Sequence, residues 1–343
     1  MLRAGVAGAA LLLLAGCATA PDAGPRPAPS ASASASASAS ATAAATATAS
    51  ATASAGASPT ATAVPGADEL GRVPVLMYHQ IIRQPGADDL TPDQFRAQID
   101  QLYADGYRPV TAADLVAGRI DVPAGRHPVV LSFDDSTISQ AQIGADGEPT
   151  PDSALGVLEA FGRAHADFRP TATFFVNTRP EPFADDKVLP WLAAHGYEIG
   201  AHTRSHPRLR RLSDAAVQEE IGGNVADIEA AVPGYRVSTF ATTGGVWPAN
   251  RELARRGEYA GTAYAFAGVF GVDEISAPSP YAAAFNPYQV PRVGTVDAAA
   301  TLETLRAHPA TRFTSDGDPD TVSFPAARAD ALAAAWRGRA RPY

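Results

Sequence analysis

Two aspartates stand side by side, Asp134-Asp135, at the end of the apolar run Val129-Val130-Leu131-Ser132-Phe133. Adjacent carboxylates repel, so a chain that sets two at the mouth of a buried strand needs something to hold them there. A cation bound by one of them would do so and leave the other free as a base. Downstream, His202-Thr203-Arg204-Ser205-His206 offers two imidazoles at a ligand-like spacing. Pro207 disfavours helical geometry at His206, which places the pair on a loop or terminal turn. Asp135, His202 and His206 are donors of the types zinc prefers, with a position left open for water or substrate. Cobalt, nickel or manganese would suit the same set. A metal there would polarise an acyl oxygen and acidify water, while Asp134 takes the proton as the water attacks. Each residue alone reads otherwise, since a lone histidine is more often hydrogen-bonded and aspartate is common before helices. The combination is what points to metal-assisted hydrolysis.

The elements that must position these residues alternate. Residues 73–78 predict a buried strand ending at His79. Thr91-Pro92-Asp93-Gln94 predicts a helix start, with Thr91 as N-cap, Pro92 at the first helical position and Gln94 completing a capping box. Phe95, Ile99 and Leu102 then share one face, and Gly106 ends the helix. Strands are expected at 107–110, 129–133, 171–176, 197–201, 237–240, 262–266 and 288–293, and helices at 112–117, 153–165, 188–195 and 213–231. Strands alternating with helices imply parallel βαβ units. Six or more units favour a barrel, whose strand ends share one face where sites are built. Asp134, Asp135, His202 and the segment after Phe240 all hold such positions. An open doubly wound sheet is the alternative, but no Gly-x-Gly-x-x-Gly turn follows the first strand.

Before this region the composition changes. Residues 1–16 carry one basic residue, Arg3, and the run Leu11-Leu12-Leu13-Leu14, which is too short for a membrane span of roughly 20 apolar residues and fits an export signal. The ending Leu14-Ala15-Gly16-Cys17 resembles a bacterial lipobox, which makes Cys17 the lipidated first residue of the mature protein. It is the only cysteine, so the exported domain has no internal disulfide. Residues 17–67 are rich in Ala, Ser, Thr and Pro and read as a disordered tether. That alanine inflates the hydrophobic fraction of 46%, which therefore does not signal a large core. Residues 68–343 fit one α/β domain. A net charge of -9 without a long basic run argues against nucleic acid as a partner.

Ser132-Phe133-Asp134-Asp135, the paired His202 and His206, and the opening Val73-Pro74-Val75-Leu76-Met77-Tyr78-His79 together resemble the NodB-homology polysaccharide deacetylases, carbohydrate esterase family 4. The resemblance runs over about residues 73–325. It implies a distorted (β/α)7 barrel that removes N- or O-acetyl groups from sugars with a divalent metal. Carried over by motif, Asp134 is the catalytic base, and Asp135, His202 and His206 bind the metal. The Met-Tyr-His opening resembles deacetylases of exported β-linked amino-sugar polymers. A third family motif, near Phe-Arg-x-Pro-Tyr-Gly, aligns with Phe240-Ala241-Thr242-Thr243-Gly244-Gly245, which lacks its Arg, Pro and Tyr but keeps Gly245 and a following aromatic, Trp247. By the resemblance this motif lines the substrate groove and gives a backbone donor to the developing oxyanion.

Arg292 resembles an arginine that buttresses the catalytic aspartate, so His79, Gly245, Trp247 and Arg292 are the candidates around substrate and oxyanion. Leu305-Arg306-Ala307-His308 carries the letters of a Leu-x-x-His motif, which makes His308 a candidate general acid. His127, His165 and His195 are expected at the surface. The resulting expectation is a lipid-anchored deacetylase at the extracellular face of a bacterial membrane, acting on an acetylated polysaccharide. An O-acetyl esterase for a xylan-like glycan, and a tethered glycan-binding protein of weakened turnover, are the alternatives.

Overall fold

The computed structural model describes residues 64–343. The expected signal segment, Cys17 and almost all of the 17–67 tether lie outside the described residues. In chain order, β1 (Val75–Tyr78) leads to α1 (Pro92–Ala104), β2 (Tyr107–Val110), α2 (Ala112–Ala117) and β3 (His127–Asp134). Then come α3 (Ala154–Ala164), β4 (Thr173–Val176), α4 (Val188–Ala194), β5 (Glu198–Ala201), α5 (Asp214–Ala231) and β6 (Thr239–Ala241). A hairpin of β7 (Arg256–Tyr259) and β8 (Thr262–Ala265) precedes β9 (Gly268–Phe270) and β10 (Val293–Gly294). Helix α6 (Thr295–Ala307) and strands β11 (Val322–Phe324) and β12 (Ala340–Pro342) complete the chain. Local chemistry explains the helix starts: Thr91, Thr111, Ser153 and Ser213 each accept the backbone N–H three residues on, and α1 has the full capping box.

The main sheet is parallel throughout and runs β10-β1-β3-β4-β5-β6-β9, with β2 paired to the first half of β3. A parallel bridge between Phe270 and Val290 brings the far edge back to the stretch before β10, so the sheet curls into a distorted barrel. Its strands are buried along their whole length, as expected where both faces are covered. Side chains alternate between two cores. Val129, Leu131 and Phe133 pack outward against the helices, whereas Val130 joins the inner cluster with Phe175, Ala241 and Phe270. By that alternation Ser132 and Asp134 share the inner face with Val130.

Two strand expectations change. Residues 262–265 form the outer half of an antiparallel hairpin turned at Gly261 (φ 81°), and the barrel strand is the following β9. The stretch 288–293 contributes only the Val290 bridge before the short β10, because Pro291 has no N–H for a ladder. His127 also departs from expectation. It opens β3, is buried, and its Nδ1 lies 2.7 Å from Phe313 O, so burial lowers its pKa to about 4.

The end of the barrel opposite the strand ends is closed by the chain's own last segment, β11 and β12 packing on residues 67–72. Glu69 sits inside this closure, accepting from the backbone N–H groups of Ser323 (2.8 Å) and Asp316 (3.3 Å). Burial, reinforced by the Asp316 carboxylate, raises its pKa to about 8. The folded state therefore binds a proton that the unfolded state releases near pH 4.5. Stability from this group is complete below that pH and is lost as pH rises through about 8. Urea unfolding of wild type between pH 5 and 8.5 should show this decline, and Glu69→Gln should flatten it. An unchanged slope in the variant would refute the assignment.

Candidate active site

Asp134 is the last residue of β3 and faces inward, 2% exposed. Burial alone would push its pKa up, but the Arg292 guanidinium outweighs it and holds the carboxyl at about 2. The pairing is bidentate: Arg292 Nη1 reaches Asp134 Oδ1 at 2.6 Å and Nη2 reaches Oδ2 at 2.8 Å. Arg292 is itself fully buried, with its Nε donating to Gly271 O at 3.0 Å and the Phe175 ring beneath its guanidinium. It lies behind Asp134 and not among the groove's lining residues. Charge, hydrogen bonds and packing on this pair all come from strand ends of one face.

Asp135 leaves the strand in a left-handed conformation, φ 76°, followed by Ser136 at φ 50°. Continued as a strand, it would point away from the barrel interior. The turn instead carries its carboxylate toward the His202–His206 loop. His202 follows β5, is 1% exposed, and donates from Nδ1 to Ala241 O at 2.9 Å, which leaves Nε2 as the available ligand atom. His202 Nε2 lies 3.5 Å from Asp135 Oδ1, and His206 Nε2 lies 3.3 Å from the same oxygen. Asp135 Oδ1 is buried yet makes no hydrogen bond. Among the described residues, Asp135, His202 and His206 are the group of His, Cys, Asp or Glu placed to share an ion, their ligand atoms within 4.8 Å of one another. Two donors at zinc bond lengths in a tetrahedral shell stand about 3.4 Å apart, so the spacing fits. Burial opposes ionisation of Asp135, but the neighbouring His202 ring holds its pKa below the ordinary range; burial, then the charge of His202, lowers that of His206. Both groups are thus kept in their ligand forms.

The loops are held by polar residues that sequence motifs do not single out. Asn177, the first residue past β4, donates from Nδ2 to the backbone oxygens of His202 and Thr203. Its own N–H and C=O pair with the Ser136 hydroxyl at 3.1 and 3.0 Å, so one side chain and one peptide tie the aspartate turn to the histidine turn. Thr203, strained at φ 68°, accepts the His206 N–H on its hydroxyl. From α5, Asn224 accepts the His202 N–H, Glu220 takes the N–H and hydroxyl of Ser205, and Asp227 pairs with Arg204 at 2.8 Å. Glu220, Asn224 and Asp227 lie on one helical face. A Cβ on Gly223 would stand 2.4 Å from Arg204, so glycine there allows helix and loop to meet. The spacing of Glu220, Asn224 and Asp227 along α5 was the available signal.

The site opens into a cavity of ≈ 480 Å³ lined by His79, Asp134, Asp135, His206, Gly245 and Glu274, among others. His206 is the exposed member of the triad. Gly245 is present, but its N–H donates to Thr242 O at 3.2 Å, which occupies the backbone donor expected to meet an oxyanion. Trp247 does not line the cavity; it is half-buried, with the Arg251 guanidinium 4.8 Å from its ring. His308 is not brought to the triad either. It caps the far end of α6, exposed, with Nδ1 donating to Thr304 O at 3.0 Å, because the helix begins at the groove and carries its last residues away.

Residues 121–262 match the family model for polysaccharide deacetylase. No curated protein sequence matches the chain. Among solved structures it is similar to a polysaccharide deacetylase from Bacillus cereus, at 21% identity and TM-score 0.51, over 67% of this chain and 69% of that one. IcaB from Ammonifex degensii is similar at 21% identity and TM-score 0.50, over 68% of this chain and 96% of that one. A Streptococcus pyogenes deacetylase solved in complex with acetate is similar at 19% identity and TM-score 0.50, covering 65% and 91%. These likenesses establish the shared fold.

Two outcomes follow from the geometry. Asn177→Ala frees both turns, and chelator competition should read metal affinity lower by about 10–100-fold, the usual loss when a group that orients ligands is removed; unchanged affinity would show that the turns hold themselves. Arg292→Met strands a buried carboxylate and should cost roughly 3–5 kcal/mol by urea unfolding. Adding Asp134→Asn should recover part of that loss, and additive costs in the double variant would count against the ion pair.

Proposed function

We propose that this chain, whose residues 121–262 match the family model for polysaccharide deacetylase, hydrolyses acetyl groups from an extracellular polymer of N-acetylated sugars. The observation that carries this reading is one cavity lined by the Arg292-paired Asp134 and by Asp135 and His206, the latter two clustered with the buried His202. The orphaned Asp135 oxygen and the outward His202 Nε2 fit a divalent cation, with zinc the first choice for this donor set. Such a cation supplies Lewis acidity that polarises an acyl carbonyl and makes water a better nucleophile.

The protein's own residues do the rest. Asp134 Oδ2, 3.6 Å from His202 Nε2, is the oxygen turned toward the triad and accepts the proton of the attacking water. The Arg292 pair keeps it ionised at working pH. The same pair makes it reluctant to retain the proton, which suits handing it on to the departing group. His79 is the remaining imidazole lining the cavity, with an unbonded Nδ1, and we assign it the relay to the leaving amine in place of the distant His308. Removal of His308 from this role favours one second reading, an O-acetyl esterase, whose alcohol leaving group needs less protonation than an amine. The signal-like residues 1–16 and the lipobox-like Cys17 support a lipid-anchored protein at the extracellular face of the cell membrane. No helix among the described residues is long and apolar enough to cross a membrane.

The reading is tested by acetate release from chitin oligomers, β-1,6-linked N-acetylglucosamine polymer, peptidoglycan and acetylated xylan, with and without chelator. Release should need metal, and Asp134→Asn should lower it by roughly 10²–10⁴-fold with metal content unchanged. His202→Ala should lose the metal. Release from xylan alone would select the esterase, and glycan binding with no acetate from any substrate would select the binding protein.

A further inference from the structure

A second cavity, ≈ 380 Å³, lies beside the first and is lined by Arg72, Glu274, Ile275, Thr301, Leu305 and His308, among others. Glu274 lines both cavities. It is held between them by its backbone, at φ 52° with its N–H on Arg292 O, and by its side chain, whose Oε2 accepts the Gly294 N–H at 3.0 Å. Helix α6 connects the same two spaces. Its first turn gives Val296 and Asp297 to the reactive cavity, and its later turns give Thr301, Thr304, Leu305 and His308 to the second. Asp297, Thr301, Thr304 and His308 recur at helical spacing, so they form one stripe. At 1.5 Å per residue that stripe runs roughly 16 Å.

We propose that this stripe, with Ile275 and Arg72 opposite, is an accessory subsite that takes the sugars next to the one being deacetylated on the same polymer chain. The proposal rests on the deacetylase reading for its occupant. Continuity supplies the main argument: a polymer with one sugar at Asp134 must leave along a wall, and α6 and Glu274 are the wall the two cavities share. The chemistry agrees. Val296 and Ile275 are exposed at 63% and 54% and offer apolar surface to the C–H faces of sugar rings. Polar groups of both kinds surround them. His308 spends Nδ1–H on Thr304 O, which leaves Nε2 to accept from a sugar hydroxyl. Arg72 spends Nη1 on Ser276 O and keeps other N–H groups as donors. A few fixed polar groups on an apolar concave floor is the general pattern of a small-ligand site. His308 thus gains a part in binding, having lost the one expected in proton transfer.

The test compares N-acetylglucosamine dimer and hexamer, in β-1,4 and β-1,6 linkage, with the zinc-loaded protein. Wild type should release acetate from the hexamer with kcat/KM about tenfold above the dimer, or roughly 1.4 kcal/mol. Ile275→Asp and His308→Ala, both at exposed positions, should remove most of that advantage through KM while leaving kcat and the dimer unchanged. Hexamer binding to zinc-loaded Asp134→Asn, measured by calorimetry, should weaken in parallel when Ile275→Asp is added. Equal kcat/KM for dimer and hexamer, or variants that harm both alike, would overturn the subsite. Absence of acetate from either length, with tight and Ile275-sensitive hexamer binding retained, would remove the deacetylase reading and keep the subsite. Absence of both would remove both.

Discussion

The buried ion pair between Arg292 and Asp134 is the constraint on which the rest of the site depends. Two consecutive carboxylates at a strand mouth repel, and burial penalises each of them further. Arg292 resolves half of the problem by meeting Asp134 with two parallel hydrogen bonds inside the barrel. A buried guanidinium is costly in its own right, so the pair persists only because each partner satisfies the other and Gly271 O takes a further donor. One consequence is chemical: the carboxylate stays ionised. Another is architectural, because Arg292, just before β10, also donates to Gly271 O, just after β9, and so helps bring the two edges of the curled sheet together.

The other aspartate is governed by backbone geometry. Asp135, Ser136, Thr203 and His206 all hold left-handed conformations, and all four lie on the two turns that present the triad. Such conformations cost free energy for non-glycine residues and persist where surrounding bonds over-determine them. Asn177 supplies several of those bonds, and the polar face of α5 supplies the others. The triad is therefore preorganised by neighbours that touch no substrate. Its strain is local, and the rigid sheet beneath carries it.

The substrate side is built differently. The groove has a Gly-Gly turn whose N–H is internally bonded, His79 just past β1, and α6 leading outward to a second cavity. An open groove continued along a helix suits a long, repeating ligand.

The grouping of Asp134, Asp135, His202 and His206 was legible in the sequence because these residues are adjacent or four apart and follow apolar runs. The alternation of Val130, Ser132 and Asp134 even determined which way the base points, since a strand admits two faces and one of them was already apolar core. Helix starts at Thr91, Ser153 and Ser213 were legible for a similar reason: capping is a contact over two or three residues. What the sequence did not determine were contacts across the barrel. Arg292 lies 158 residues from Asp134 and was reached only through the family resemblance, and Asn177 joins two turns that no local pattern relates. His308 shows the same limit from the other side, because its motif letters were right while the direction of α6 took it away from the triad. Short-range spacing determined the chemistry on offer; only closure of the sheet decided which groups meet.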